Sequence, residues 1–152
     1  MPVSDEQVRQ LVGQACAYLD AEDFDGFLGL CAREFRYQIT VYSPEISKKM
    51  IWLNHDLKGL EALFAVLPEH VRLLGTLFRH VSVYRIAWDD PKRASVTSSV
   101  LIVHTDSDGQ SRLFAAGRYH DTVLVDGDAP RLLSRTLQLE TRDIGEGSQV
   151  PL

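Results

Sequence analysis

Basic residues are in deficit in this chain: 16 Lys and Arg stand against 21 Asp and Glu, a formal net charge of -5. A polyanion is gripped by clustered Lys and Arg, so this balance argues against nucleic acid as a partner. Long apolar runs are missing as well. None approaches the roughly 20 residues that cross a bilayer, and Met1-Pro2-Val3-Ser4-Asp5-Glu6 lacks the basic start and apolar stretch of a signal peptide. No membrane partner is expected, and the cytoplasm is the expected compartment. Cysteine is limited to Cys16 and Cys31. Both stand among apolar neighbours in segments of helical spacing, which reads as inert core thiols. No Gly-x-Ser-x-Gly elbow, Gly-rich phosphate loop or dinucleotide fingerprint occurs. Gly26-Phe27-Leu28-Gly29 lies inside a helical pattern and is no phosphate cradle.

Gly and Pro are not in excess, and no repeat or low-complexity tract divides the 152 residues. A chain of this length buries roughly two thirds of its unfolded surface. The expectation is one domain over 1–152, with a polar tail, 143–152, that ends in the apolar Val150-Pro151-Leu152 and could dock.

The periodicities that are present fall into two halves. Ser4 and Gln7 have capping-box spacing, and Val8, Leu11, Val12, Ala15 and Leu19 follow at helical spacing. Phe24, Phe27, Leu28 and Cys31 read as a second helix after Ala21-Glu22-Asp23. Phe35, Tyr37, Ile39 and Val41 alternate with polar residues, the period of a half-buried strand. Glu45 to Asp56 is aperiodic and reads as irregular, although Met50-Ile51-Trp52-Leu53 is an apolar run that wants a partner surface. A third helix carries Leu57, Leu60, Leu63, Phe64 and Leu67, with Pro68 at its end. Four strands follow, over 77–88, 94–104, 112–124 and 132–141, separated by Asp-, Gly- and Pro-containing turns. Such short connections favour antiparallel neighbours. The element order ααβαββββ predicts an α+β fold: a bent, mostly antiparallel sheet around three N-terminal helices, forming a cone.

Several stretches carry a family resemblance. Leu19-Asp20-Ala21-Glu22-Asp23-Phe24-Asp25-Gly26-Phe27-Leu28, the strand start Phe35-Arg36-Tyr37, the pair Arg79-His80, the run Ala116-Gly117-Arg118-Tyr119-His120-Asp121 and the end from Arg131 to Leu152 resemble the small, or β, subunit of Rieske-type aromatic-ring-hydroxylating oxygenases. The resemblance covers nearly the whole chain. It implies the cystatin-like cone shared with nuclear transport factor 2. It also implies a large subunit as partner, three large and three small subunits in the complex, and a Rieske 2Fe-2S cluster and a mononuclear iron on that partner. The Pro-Leu ending is similar to the branch acting on small aromatic carboxylates or sulfonates.

The residues can be weighed against those expectations. A Rieske cluster takes two Cys and two His, and neither cysteine has a histidine near it. A mononuclear iron takes two His and a carboxylate around an open position, whereas His55, His70, His80, His104 and His120 form no spaced pair. No metal site and no cofactor are therefore expected in this chain. Other cone folds are dehydratases and isomerases with Tyr, His and Asp in the pocket, and under that alternative the candidates are Tyr37, Asp56, His80 and His120. Each also has a structural reading. Asp56 stands at an N-cap position, Tyr37 shares the parity of Phe35 and Ile39, and His80 shares that of Phe78, Tyr84, Ile86 and Trp88, which predicts a buried, satisfied histidine. His120 shares the parity of Arg112 and Arg118, which predicts exposure or a subunit contact. Trp52, Val150 and Leu152 are the candidate interface anchors.

Overall fold

A computed structural model describes residues 2–66, 75–144 and 152. Helices α1 (Asp5–Asp20) and α2 (Phe24–Gly29) open the chain, and strands β1 (Cys31–Ser43) and β2 (Lys48–Asp56) form a hairpin. Helix α3 (Leu57–Val66) follows, then β3 (Thr76–Asp90), β4 (Arg93–Thr105), β5 (Ser111–Asp126) and β6 (Ala129–Leu139).

The helix starts follow the sequence closely. Ser4 caps α1: its Oγ accepts from the Gln7 amide at 3.2 Å while Gln7 Oε1 accepts from the Ser4 amide at 2.9 Å. Asp23 caps α2 through the Gly26 amide at 2.9 Å. Asp56 likewise accepts from the Gly59 amide at 2.8 Å, as its N-cap position predicts. Two segments depart from the sequence reading. Cys31 opens β1 instead of extending the second helix, and the irregular segment before α3 is largely strand β2. That strand was hidden because it is an edge: Lys48, Lys49, Ile51, Trp52 and Asn54 are exposed, and a register shift at Ile39/Thr40 breaks its alternation against β1. The predicted helix end at Leu67 and Pro68 lies outside the described residues.

The six strands run in the order β2-β1-β6-β5-β4-β3. Every neighbouring pair is antiparallel except β1 and β6, which run parallel from Cys31↔Leu132 to Val41↔Leu139. Register shifts at Val83/Arg85, Ile102/Val103 and Thr122/Val123 add to the natural twist and bend the long strands. The result is the predicted α+β cone. Helix α1 packs on β3 and β6, and α3 on β1 and β2. Phe27 meets Phe35 edge-on with centroids 6.1 Å apart, and Phe24 stacks on Phe64 at 4.2 Å, which fastens α2 and α3 over the sheet. Among the described residues no helix is long and apolar enough to cross a membrane.

Candidate functional site

The four acid/base candidates do not converge. Tyr37 faces the cone interior and is fully buried, whereas Asp56 is exposed and occupied in capping α3. His120 is exposed on the outer face, where Nε2 lies 2.8 Å from Gln138 Oε1. His80, expected to be buried, is exposed too. The reason is the bulge at Val83/Arg85, which inverts the side-chain parity partway along β3. Beyond it Ile86 and Trp88 pack on the core, but before it the inward residues are Leu77, Arg79, Val81 and Val83. His80→Ala is accordingly expected to change the chain's unfolding free energy by no more than about 0.5 kcal/mol, measurable by urea denaturation.

A different set of polar residues occupies the interior. Tyr37, Arg135 and Asp121 are consecutive cross-strand partners on β1, β6 and β5. Arg135 donates from Nε to Asp121 Oδ1 at 2.8 Å and from Nη2 to Oδ2 at 3.0 Å, with both side chains fully buried. This fork geometry is the strong form of an ion pair. Two residue pairs along, Tyr119 lies fully buried with its ring 3.9 Å beneath the Arg135 guanidinium. Arg79, only 4% exposed, donates from Nη1 to Asp20 Oδ1 at 2.8 Å and from its amide to the same oxygen at 3.1 Å. An aspartate in the last turn of α1 opposes the helix dipole; the Arg79 contacts offset this and tie α1 to β3.

Leu152 meets this cluster. It is 1% exposed, and its main-chain oxygen accepts from Arg79 Nε at 2.9 Å and from the Tyr119 hydroxyl. Expected as an interface anchor, Leu152 is covered by its own chain instead, because its side chain is apolar and two buried donors need its oxygen. Val150 lies outside the described residues. Trp52 is 37% exposed on the edge strand.

Burial sets the protonation states. It pushes the Cys31 thiol up to about 12 and also raises Cys16; both are buried free thiols, as expected, with Cys31 Sγ donating to the Phe27 carbonyl at 3.4 Å. Burial raises the phenols of Tyr37 and Tyr119. Burial alone would lower the Arg135 pKa, but the Asp121 charge and hydrogen bonds outweigh it and raise the value. These groups therefore hold fixed protonation states near neutral pH and are not poised to exchange protons. The donor set does not fit iron either: no cluster of three or more His, Cys, Asp or Glu among the described residues could hold a metal ion.

Sequence reading passed over Arg79, Tyr119, Asp121 and Arg135 as site residues. Two signals were available. Asp121 and Arg135 sit at inward parity on adjacent strands, and Arg79 interrupts an apolar series at Leu77, Val81 and Val83.

A curved, mostly antiparallel sheet with helices across its inner face defines a class of cone-shaped folds, and among the described residues of this chain Tyr37, Asp56, His80 and His120 do not converge into an acid/base set. Residues 4–136 match the SnoaL-like domain. The chain belongs to that family, and within it to the β subunits of sulfonate- and ring-hydroxylating oxygenases. It is 34% identical to the methanesulfonate monooxygenase hydroxylase subunit beta of Methylosulfonomonas methylovora over 97% of this chain and 86% of that one. It is 32% identical to the 2-aminobenzenesulfonate 2,3-dioxygenase subunit beta of an Alcaligenes species, over 88% of this chain and 89% of that one. In structure it is similar to a chain from Novosphingobium aromaticivorans assigned as the beta subunit of an aromatic-ring-hydroxylating dioxygenase, with TM-score 0.84 at 18% identity, covering 97% of this chain and 95% of that one.

Proposed function

We propose that this chain is the non-catalytic small subunit of an oxygenase whose Rieske cluster and mononuclear iron are carried by a large partner subunit. The observation that carries this reading is the set of buried, mutually paired side chains in the interior. Where a cone enzyme keeps an open acid/base pocket, this chain places the Arg135–Asp121 pair, Tyr119 and Leu152, while Asp56, His80 and His120 lie exposed elsewhere. Both curated relatives carry a sulfonate in their names, which favours a small sulfonate over an aromatic carboxylate as the complex's substrate. The chain's part in turnover is to hold and orient the partner, in the cytoplasm.

Exposed apolar side chains support assembly. On the outer face Phe78 and Leu113, 54% and 59% exposed, flank Val103 in one cross-strand row, and Leu101 pairs with His80 beside it. Tyr42, Ile46, Ile51 and Trp52 form a second exposed group on the β1–β2 hairpin. Patches of this kind seldom stay uncovered. We assign them to contacts with copies of this chain and with the large subunit, in a complex of three large and three small subunits. Native mass spectrometry of the co-expressed subunits tests this: the expected species is that hexamer, and a small chain that stays monomeric in the presence of its partner overturns the reading. Trp52→Ala is expected to weaken assembly about tenfold or more while leaving the isolated chain's unfolding midpoint in place, as read by dilution of the complex.

A further inference from the structure

We propose that the small chains join head to tail: the β1–β2 hairpin of one copy seats on the outer face of β3, β4 and β5 of the next, and three such contacts close a ring. The proposal rests on the assembly described above and names the surfaces that carry it. Both surfaces are apolar and exposed. Tyr42 and Ile46 stand on the hairpin, 55% and 60% exposed; on the other surface Phe78 and Leu113 flank Val103, with Leu101 in the adjoining row. Hairpin and face lie toward opposite edges of the sheet, whose order is β2-β1-β6-β5-β4-β3. They nevertheless share one rim of the cone. The cross-strand partners Val41, Leu139, Gly117, Val100 and Val81 form a line across the sheet. Both surfaces lie on the same side of that line, together with the connections at 44–47 and 106–110.

Charge sets which surface meets which. On the hairpin Lys48 and Lys49 are exposed and form no ion pair among the described residues, while Glu45 is engaged by Arg142. Beside the row of Phe78, Val103 and Leu113, the connection between β4 and β5 carries Asp106 and Asp108. Arg112 lies 3.9 Å from Asp106, and the Asp108 carboxylate has no cation among the described residues. One surface therefore offers surplus positive charge and the other surplus negative charge. Two hairpins in contact would oppose Lys48 and Lys49 to their own copies, and two faces would do the same with Asp106 and Asp108, whereas a hairpin on a face pairs unlike charges. Two different patches that bind one another build a ring when the rotation closes and an open filament when it does not. Placement on one rim keeps successive copies at one height, which is the arrangement that closes.

The test uses the full chain and two variants, a hairpin variant carrying Tyr42→Asp with Ile46→Asp and a face variant carrying Phe78→Asp with Leu113→Asp, each followed by native mass spectrometry and by circular dichroism to verify folding. The unsubstituted chain is expected to form a trimer and each variant alone a folded monomer. Mixed in equal amounts, the two variants should form a one-to-one pair and no trimer, because one intact hairpin and one intact face remain and the ring cannot close. Lys48→Glu with Lys49→Glu, a milder change on exposed side chains, should weaken the trimer about tenfold or more, and adding Asp108→Lys to the same chain should restore part of the loss. Self-association of the face variant through its hairpins, self-association of the hairpin variant through its faces, a mixture that stays monomeric, or an unsubstituted chain that is monomeric on its own overturns the proposal. Hexamer formation by the unsubstituted chain with the large subunit, measured in parallel, separates this outcome from a failure of the subunit reading itself.

Discussion

Asp121→Asn is expected to destabilise the folded chain by about 3–5 kcal/mol, the cost of leaving a buried guanidinium without its counter-charge. The size follows from the geometry: both carboxylate oxygens of Asp121 accept from Arg135, and neither side chain reaches solvent. Domains of this kind are stable by about 5–15 kcal/mol, so the single change removes a large share of the total. The pair as a whole is expected to contribute far less. Replacing both partners with apolar residues of similar volume, as in Asp121→Leu with Arg135→Met, should recover most of the loss, since desolvation of the two charges nearly cancels their attraction. Urea unfolding of the two single variants and the double variant measures this coupling. A loss below about 1 kcal/mol for Asp121→Asn, against that expectation, would mean that Arg135 has other compensation.

Alkaline pH should destabilise the chain steeply. The Cys31 thiol has an ordinary value of 9.0 and is held at about 12 when folded. Above 9 the unfolded chain gives up this proton while the folded chain keeps it, so folding free energy falls as pH rises through the interval. Each such group contributes about 1.4 kcal/mol per pH unit, which gives roughly 4 kcal/mol from Cys31 across the interval. Burial raises Cys16, Tyr37 and Tyr119 in the same direction, and the two tyrosines add their effect above an ordinary value of 10.0. The stability contributed by these protonated groups is fully present below pH 9 and is lost above it. Cys31→Ala should make the first part of the decline shallower, with Cys16 still contributing to it, while leaving the tyrosine part in place. Unfolding midpoints at half-unit steps from pH 7 to pH 11 would display both segments; a flat profile would show that these groups titrate alike in the two states.

The elements with strong local signals were legible in the sequence. Capping by Ser4 and Asp56 requires only a side chain and an amide three residues on, and the turns at Asp106 and Asp126 place glycines, Gly109 and Gly127, at positive φ. The four C-terminal strands and the core role of Tyr37 followed from period and length. Non-local structure was not legible. The edge strand β2 has no fully buried face, so its pattern carries little period-two signal. The parity of His80 was misread because a bulge leaves no mark in residue types, yet it moves Ile86 and Trp88 to the face opposite Phe78, His80 and Tyr84. The interior cluster depends on register across β1, β6 and β5, which no single segment encodes, and on Leu152 returning to strands far from it in sequence. The resemblance to oxygenase β subunits rested on stretches spread over the whole chain, and it survived these local misreadings because it did not depend on any one of them.

The central claim is that this chain supports an iron enzyme without carrying iron or performing oxygenation. Its most direct measurement is a titration of the iron-loaded large subunit with this chain, with bound iron and substrate-dependent oxygen consumption followed at every ratio and the chain alone as the zero point. The predicted result is that the chain alone contains no stoichiometric iron and shows no turnover. Activity of the large subunit should then rise with added chain to a plateau at one small subunit per large one, with iron per large subunit constant throughout. Stoichiometric iron on the isolated chain, turnover by the chain alone, or large-subunit activity indifferent to its addition would contradict it.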